Sequence, residues 1–157
     1  MQLHQLLTEH RIDCAISAGS KKRLLEKLSE LLQHDAPDVD STAAFQSLFD
    51  RERLGSTGVG NGVALPHGRM TGLTKAIGAF AILDEPIDYE AVDNQPVKLV
   101  FALLVPEEAT EEHLQLLATL AKLFSDEKNR EHLLNAKNCD DVYNFLRTFD
   151  SGYQQAS

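Results

Sequence analysis

The chain has 157 residues, 43% hydrophobic and 25% charged, a balance that fits one globular domain spanning residues 1–157 and excludes a disordered or fibrous chain. Its formal charge of −9, without a concentrated basic face, argues against nucleic-acid binding. No apolar run approaches the roughly 20 residues that span a bilayer, and the opening Met1-Gln2-Leu3-His4-Gln5 lacks the features of a secretory signal, so a cytoplasmic location without membrane insertion is expected.

In chain order, a short helical start at residues 3–7 precedes a strand at 12–16, where Ile12-Asp13-Cys14-Ala15-Ile16 alternates. Residues 20–33 carry Leu24, Leu25, Leu28, Leu31 and Leu32 on one helical face. The basic cluster Lys21-Lys22-Arg23 opens that helix and reads as a solvated first turn. Asp40 or Ser41 caps a second helix, which carries Phe45, Leu48 and Phe49 and stops at Gly55. A glycine-rich segment follows, with a short apolar strand at Val63-Ala64-Leu65. A strand at 76–83 is closed by the turn signal Asp84-Glu85-Pro86. Residues 96–105 are almost all apolar, as a central strand covered on both faces requires. Thr110 caps a helix running to residue 124; helices at 126–135 and 140–149 follow, and residues 151–157 form a polar tail expected to fray. Helices before and after a block of strands imply an α/β fold, a three-layer α/β/α sandwich with a mixed sheet, whose strand order the pattern does not specify. Cys14 and Cys139 form no Cys-x-x-Cys pair; both read as small core residues rather than a disulfide.

The chemistry concentrates at residues 52–69. Four glycines in the first half allow consecutive N–H groups to point into one concavity, an anion-binding arrangement that Gly58, Gly60, Asn61 and Gly62 would supply. Pro66 fixes the backbone ahead of His67, and Gly68 leaves room behind it. A histidine held rigidly at a strand end, with one ring nitrogen facing solvent, is the expected result. Nucleotide binding does not fit. After Gly60 comes Asn61-Gly62 rather than the Lys and Ser/Thr of a Walker A loop, and the segment follows a helix. The dinucleotide fingerprint fails too, since its third glycine is at the wrong offset and no helix follows.

Glu52, Val59, Gly60, Val63, Ala64, Leu65, Pro66, His67 and Gly68 satisfy every specified position of a family signature. The segment resembles the phosphorylation site of phosphotransferase-system IIA domains of the mannitol/fructose/nitrogen class. The string from Gly55 to Gly68 looks most like the nitrogen-regulatory branch, and the likeness continues in Asp93-Asn94-Gln95-Pro96-Val97, in 101–106 and in His113-Leu114-Gln115-Leu116-Leu117. The resemblance implies that His67 accepts a phosphoryl group, through Nε2, from a small HPr-like phosphohistidine carrier, and that His113 and Arg51 lie beside it. It implies no cofactor and no metal. It further implies a regulatory phosphotransferase acting on targets such as potassium transporters or sensor kinases; the alternative is a sugar-specific component passing phosphate to a IIB domain.

A neutral imidazole can make this attack if one nitrogen is tethered and the other keeps its lone pair. His113, one turn into its helix, is expected to stay neutral and donate to the phosphoryl group, and Arg51 to offer a fork of donors, unless it merely pairs with Asp50 or another carboxylate. His4, His10, His34 and His132 show no ligand spacing and read as surface residues. A metal on His67 and His113 would need a third ligand that the sequence does not place.

Overall fold

The apolar run at the centre of the chain forms β6 (Val97–Pro106) and pairs antiparallel with β5 (Ile77–Ile87). This computed structural model describes the backbone of residues 2–108 and 110–156 and the side chains of 2–108 and 111–150. β1 (Ile12–Ile16) lies parallel to β5 on its outer side. On the other side of β6, β3 (Val63–Ala64) and β4 (His67–Met70) both run parallel to it, one after the other along its length. β2 (Gly58–Gly60) closes against β3 as an antiparallel hairpin. The sheet is therefore six-stranded and mixed, in the order β1-β5-β6-β3-β2 with β4 beside β3 on β6.

Alternation along β5 and β6 divides the core in two. Ala79, Ala81, Leu83, Val100, Ala102 and Leu104 face α1 (Lys21–Gln33) and α2 (Ser41–Leu54). Phe80, Ile82, Leu99, Phe101 and Leu103 face α3 (Thr110–Ser125), α4 (Glu127–Leu134), α5 (Cys139–Ala156) and the 3-10 turn Leu3–Leu6. Fully burying each large side chain contributes about 1.5–3 kcal/mol. The three-layer α/β/α sandwich is the architecture that residues with two apolar faces demand.

The helix signals hold. Ser20 Oγ accepts from Arg23 N at the start of α1, and Asp40 from Ala43 N at the start of α2. Three expectations change, and a fourth lies outside the described residues. Asp84-Glu85-Pro86 stays inside β5 rather than ending it, because the register slips between Ile82 and Ile87, and a proline that lacks an N–H is tolerated in such an irregularity. Gly58–Gly60 and His67–Met70 are strands, although glycine is poor in strands, because both pair with an already specified neighbour. Thr110 is the first residue of α3, and its side chain as a cap lies outside the described residues. α5 runs on to Ala156 where a frayed tail was expected, since extending an existing helix adds a hydrogen bond per residue fixed.

Lys21 also departs from the solvated turn expected of it. Its side chain is only 19% exposed and its Nζ lies 2.9 Å from Glu52 Oε1. Arg11 is buried as well, donating to the carbonyls of Gly78, His34 and Leu6 at 3.1, 2.8 and 3.0 Å. Among the described residues no helix is long and apolar enough to cross a membrane.

Candidate functional site

α2 stops at Gly55, whose φ of 154° a side-chain-bearing residue resists. Glu52, in the last turn, folds inward and is buried. It accepts from Thr57 N at 2.9 Å and from the Thr57 hydroxyl, and pairs with Lys21. The Tyr89 hydroxyl lies 3.1 Å from Thr57 Oγ1, and burial, then Glu52, push that phenol upward in pKa. The acidic position of the motif thus clamps the start of the glycine segment. Thr57 O then accepts from Leu65 N at 2.9 Å, carrying the clamp across the hairpin.

Gly60, Asn61 and Gly62 turn the hairpin with φ of 100°, 58° and 77°. Their positive φ values suit a concavity of N–H groups, but the chain fills it itself: Asn61 N donates to Asp93 Oδ2 at 3.0 Å. The N–H groups of Gln95 and Asn61 hold the Asp93 carboxyl below its ordinary range. Gly58 N donates to Ser56 Oγ at 3.1 Å. Gly58, Gly60, Asn61 and Gly62 are not among the residues lining the cleft beside His67.

His67 opens β4 just after Pro66, whose carbonyl accepts from Leu103 N at 2.9 Å. Its half-buried ring places Nδ1 2.7 Å from Leu65 O. A carbonyl only accepts, so Nδ1 carries the proton and Nε2 keeps its lone pair. Behind the ring, Gly68 is packed so closely that a Cβ there would stand 2.1 Å from Ser47 Oγ.

The cleft beside the ring, about 430 Å³, is lined by Arg51, His67, Gly68, Arg69 and His113 among others. His113 lies in the first turn of α3, its ring 5.1 Å from that of His67 at an interplanar angle of 69°. It is buried, and its Nε2 has no hydrogen-bond partner. A buried polar atom without a partner is costly, and this one belongs to a residue that lines the same cleft as His67. Burial lowers the pKa of both imidazoles; for His113, proximity to His67, Arg69 and Arg51 lowers it further. Both rings are thus held toward the neutral form.

Arg51 does not pair with Asp50, which instead lies 3.5 Å from Arg53. Its guanidinium donates to Gly55 O at 2.9 Å, which leaves further N–H groups for the cleft. Arg69 also lines the cleft, and the sequence reading missed it. Its signal was the two-residue period of a strand, which puts residues 67 and 69 on one face. Of the remaining histidines, His10, His34 and His132 are exposed, but His4 is not a plain surface residue: its Nδ1 lies 2.5 Å from Asp150 Oδ2, and Asp150 is buried. Among the described residues no three His, Cys, Asp or Glu side chains converge as a metal ion would need. The two cysteines, expected to be small core residues, are partly buried against the core and face each other across β1 and α5 as free thiols.

Comparison with known proteins points one way. The family described as "Phosphoenolpyruvate-dependent sugar phosphotransferase system, EIIA 2" matches residues 5–148. A nitrogen regulatory protein of Pseudomonas aeruginosa is 41% identical over 152 residues, covering 97% of this chain and 99% of its own length. A fructose-specific EIIA component of Haloferax volcanii is 37% identical over 128 residues, covering 82% and 83%. The crystal structure of nitrogen regulatory protein IIA-Ntr from Neisseria meningitidis superposes with a TM-score of 0.87 at 43% identity, covering 92% of this chain and 98% of that one.

Proposed function

The chain belongs to the phosphoenolpyruvate-dependent sugar phosphotransferase system EIIA 2 family, and from that premise we propose that it is a phosphocarrier whose His67 Nε2 takes a phosphoryl group from a small HPr-like phosphohistidine protein. The observation that carries the reading is the pairing of a tethered His67 Nδ1–H with a free Nε2, 5.1 Å between ring centroids from a buried, partnerless His113.

In the transfer, the N–P bond of the donor breaks as the bond to Nε2 forms. The donor imidazole leaves with the electron pair of that bond. The His67 ring, protonated at Nδ1 and now phosphorylated at Nε2, gains positive character that the Leu65 carbonyl offsets at 2.7 Å. The phosphoryl oxygens carry the negative charge; His113 Nε2–H donates to one, and the Arg51 guanidinium offers planar donors to the others. Arg69 adds a second cation to the same cleft. Catalysis on this account is positioning and electrostatic stabilisation, with chemistry supplied by the donor.

The product adds about two negative charges to the cleft, enough to change which surface docks there. Likeness to nitrogen regulatory proteins supports a cytoplasmic regulator whose phosphorylation state is read by targets such as potassium transporters or sensor kinases. The fructose-specific relative supports the second reading, a sugar-specific component that hands phosphate to a IIB domain.

Labelling with a phosphorylated carrier tests the site: His67→Ala abolishes label, and phosphorus NMR of the wild type shows a single Nε2-phosphohistidine. Label retained in that variant would remove His67 from the scheme. Deleting the gene separates the two readings. Altered potassium or nitrogen responses with intact sugar uptake support the regulator; selective loss of fructose or mannitol uptake supports the transport component.

A further inference from the structure

Cys14 lies on β1 and Cys139 is the first residue of α5, 125 residues apart in sequence, yet their Sγ atoms are 2.8 Å apart. Both are free thiols, and both are partly exposed, so a small reagent can reach the pair. No other cysteine exists in the chain, so a sulfur-bound adduct on either one has a single possible resolving thiol within the molecule. β1 is laid down in the sheet by β5, and α5 packs on β1 through its apolar face. The sulfurs are thus held in register by the fold and not by a bond between them.

We propose that Cys14 and Cys139 are a thiol–disulfide exchange site, converted to an intramolecular disulfide by a low-molecular-weight disulfide. In the first step the Cys139 thiol gives its proton to solvent and attacks one sulfur of the small disulfide. That S–S bond breaks, and one small thiolate departs. In the second step Cys14 attacks Cys139 Sγ in the mixed disulfide, expelling the second small thiolate. Two electrons pass from the protein sulfurs to the small disulfide, and the two protons end on the released thiols. Burial, then its hydrogen bond to Cys139, raise the pKa of the Cys14 thiol, and Cys14 gives its proton to the departing small thiolate as it attacks. Asp13 and Asp141 add negative charge around the pair, which favours an uncharged disulfide over an anionic one. Reversible exchange of this kind is the form cysteine pairing ordinarily takes in reducing compartments.

The test exposes the full chain to hydroxyethyl disulfide, quenches with acid, alkylates under denaturing conditions and maps the peptides. The expected result is joint loss of both thiols, a Cys14–Cys139 linked peptide, no lasting adduct, and a chain that remains single on a non-reducing gel. The oxidised form should melt roughly 10 °C higher, because the bond closes a long loop in the unfolded state. In Cys14→Ser the mercaptoethanol adduct on Cys139 accumulates instead of resolving. Stable adducts on the two cysteines of the wild type, disulfide-linked dimers, or full alkylation of both thiols after exposure would each overturn the proposal. The wild-type outcomes decide the matter even if a variant fails to fold, and none depends on phosphorylation of His67.

Discussion

Replacing Lys21 by methionine keeps most of the stem and removes the charge. Lys21 Nζ sits 2.9 Å from Glu52 Oε1, and the Glu52 side chain is only 3% exposed. The ammonium also stands 4.7 Å over the Tyr89 ring centroid. Removing one partner of a fully buried pair costs about 3–5 kcal/mol, because the other charge is stranded. Two features reduce that figure here. Lys21 retains 19% exposure, so part of its charge is already solvated, and Glu52 keeps its two bonds from Thr57. The expected cost of Lys21→Met is therefore about 2–3 kcal/mol, including about 0.5–1 kcal/mol of cation–π attraction. At a urea m-value of about 2 kcal/mol/M, that lowers the unfolding midpoint by roughly 1 M with an unchanged slope. Adding Glu52→Gln removes the stranded charge, so the double variant should recover about 1–2 kcal/mol relative to the sum of the singles. A midpoint shift under about 0.2 M, or strict additivity, would show that Lys21 is the solvated first-turn residue its sequence neighbours suggest and would refute the reasoning. Because Glu52 holds Thr57, Thr57 O holds Leu65 N, and Leu65 O holds His67 Nδ1, Lys21→Met should also slow phosphoryl acceptance without touching the cleft.

His113→Ala relieves a buried partnerless nitrogen, so the variant should fold normally while accepting phosphate roughly 100-fold more slowly in rapid-quench labelling; wild-type kinetics would sink the donor role. Gly68→Ala should cost about 2 kcal/mol in thermal unfolding, and a Ser47→Ala background should restore only part of it, since Ser47 O is itself 3.0 Å from the added Cβ. Arg11→Met removes the donor to the Gly78 and Leu6 carbonyls in the interior and to the part-buried His34 carbonyl, and should cost about 3 kcal/mol by urea titration; a neutral result would mean those carbonyls find other donors. Both cleft imidazoles are depressed below their ordinary value of 6.5 by burial, so below that pH the unfolded chain binds protons the folded chain refuses. Stability contributed by keeping them neutral is complete above about 6.5 and is lost as pH falls through the folded-state values. His10 is raised by Asp35 and acts in the opposite sense, so the informative comparison is between wild type and His113→Gln, which should flatten the acid-side decline.

The layers were readable from residues because β5 and β6 carry apolar side chains on both faces and α1 carries leucines on one; each is a local pattern with a single good solution. The place of His67 at a strand end, with one ring nitrogen tethered, was readable because Pro66 and Gly68 constrain the backbone around it. Other features depend on partners distant in sequence. β4 contains a histidine, a glycine and an arginine, and only its ladder with Leu103–Pro106 makes it a strand. The glycine turn had the right torsions for an anion cradle, but Asp93, far along the chain, fills that concavity. Lys21 and Arg11 look like surface charges until Glu52 and three carbonyls are brought to them. Cys14 and Cys139 carry no mutual signal at all, since their encounter is a product of β1 and α5 packing.

The strand that begins at His67 borders β6 on one side and has α2 packed against it. The Ser47 hydroxyl donates to Arg69 O at 2.7 Å, and the Ser47 backbone presses on Gly68. An uncovered flank would invite a foreign extended segment to zip onto the ladder. With that flank roofed, a partner that reads His67 under the proposed function would meet it end-on, through the shape and charge of the rim. Such recognition would be uncoupled from sheet architecture, so that the rim could change while every backbone pairing stays as it is.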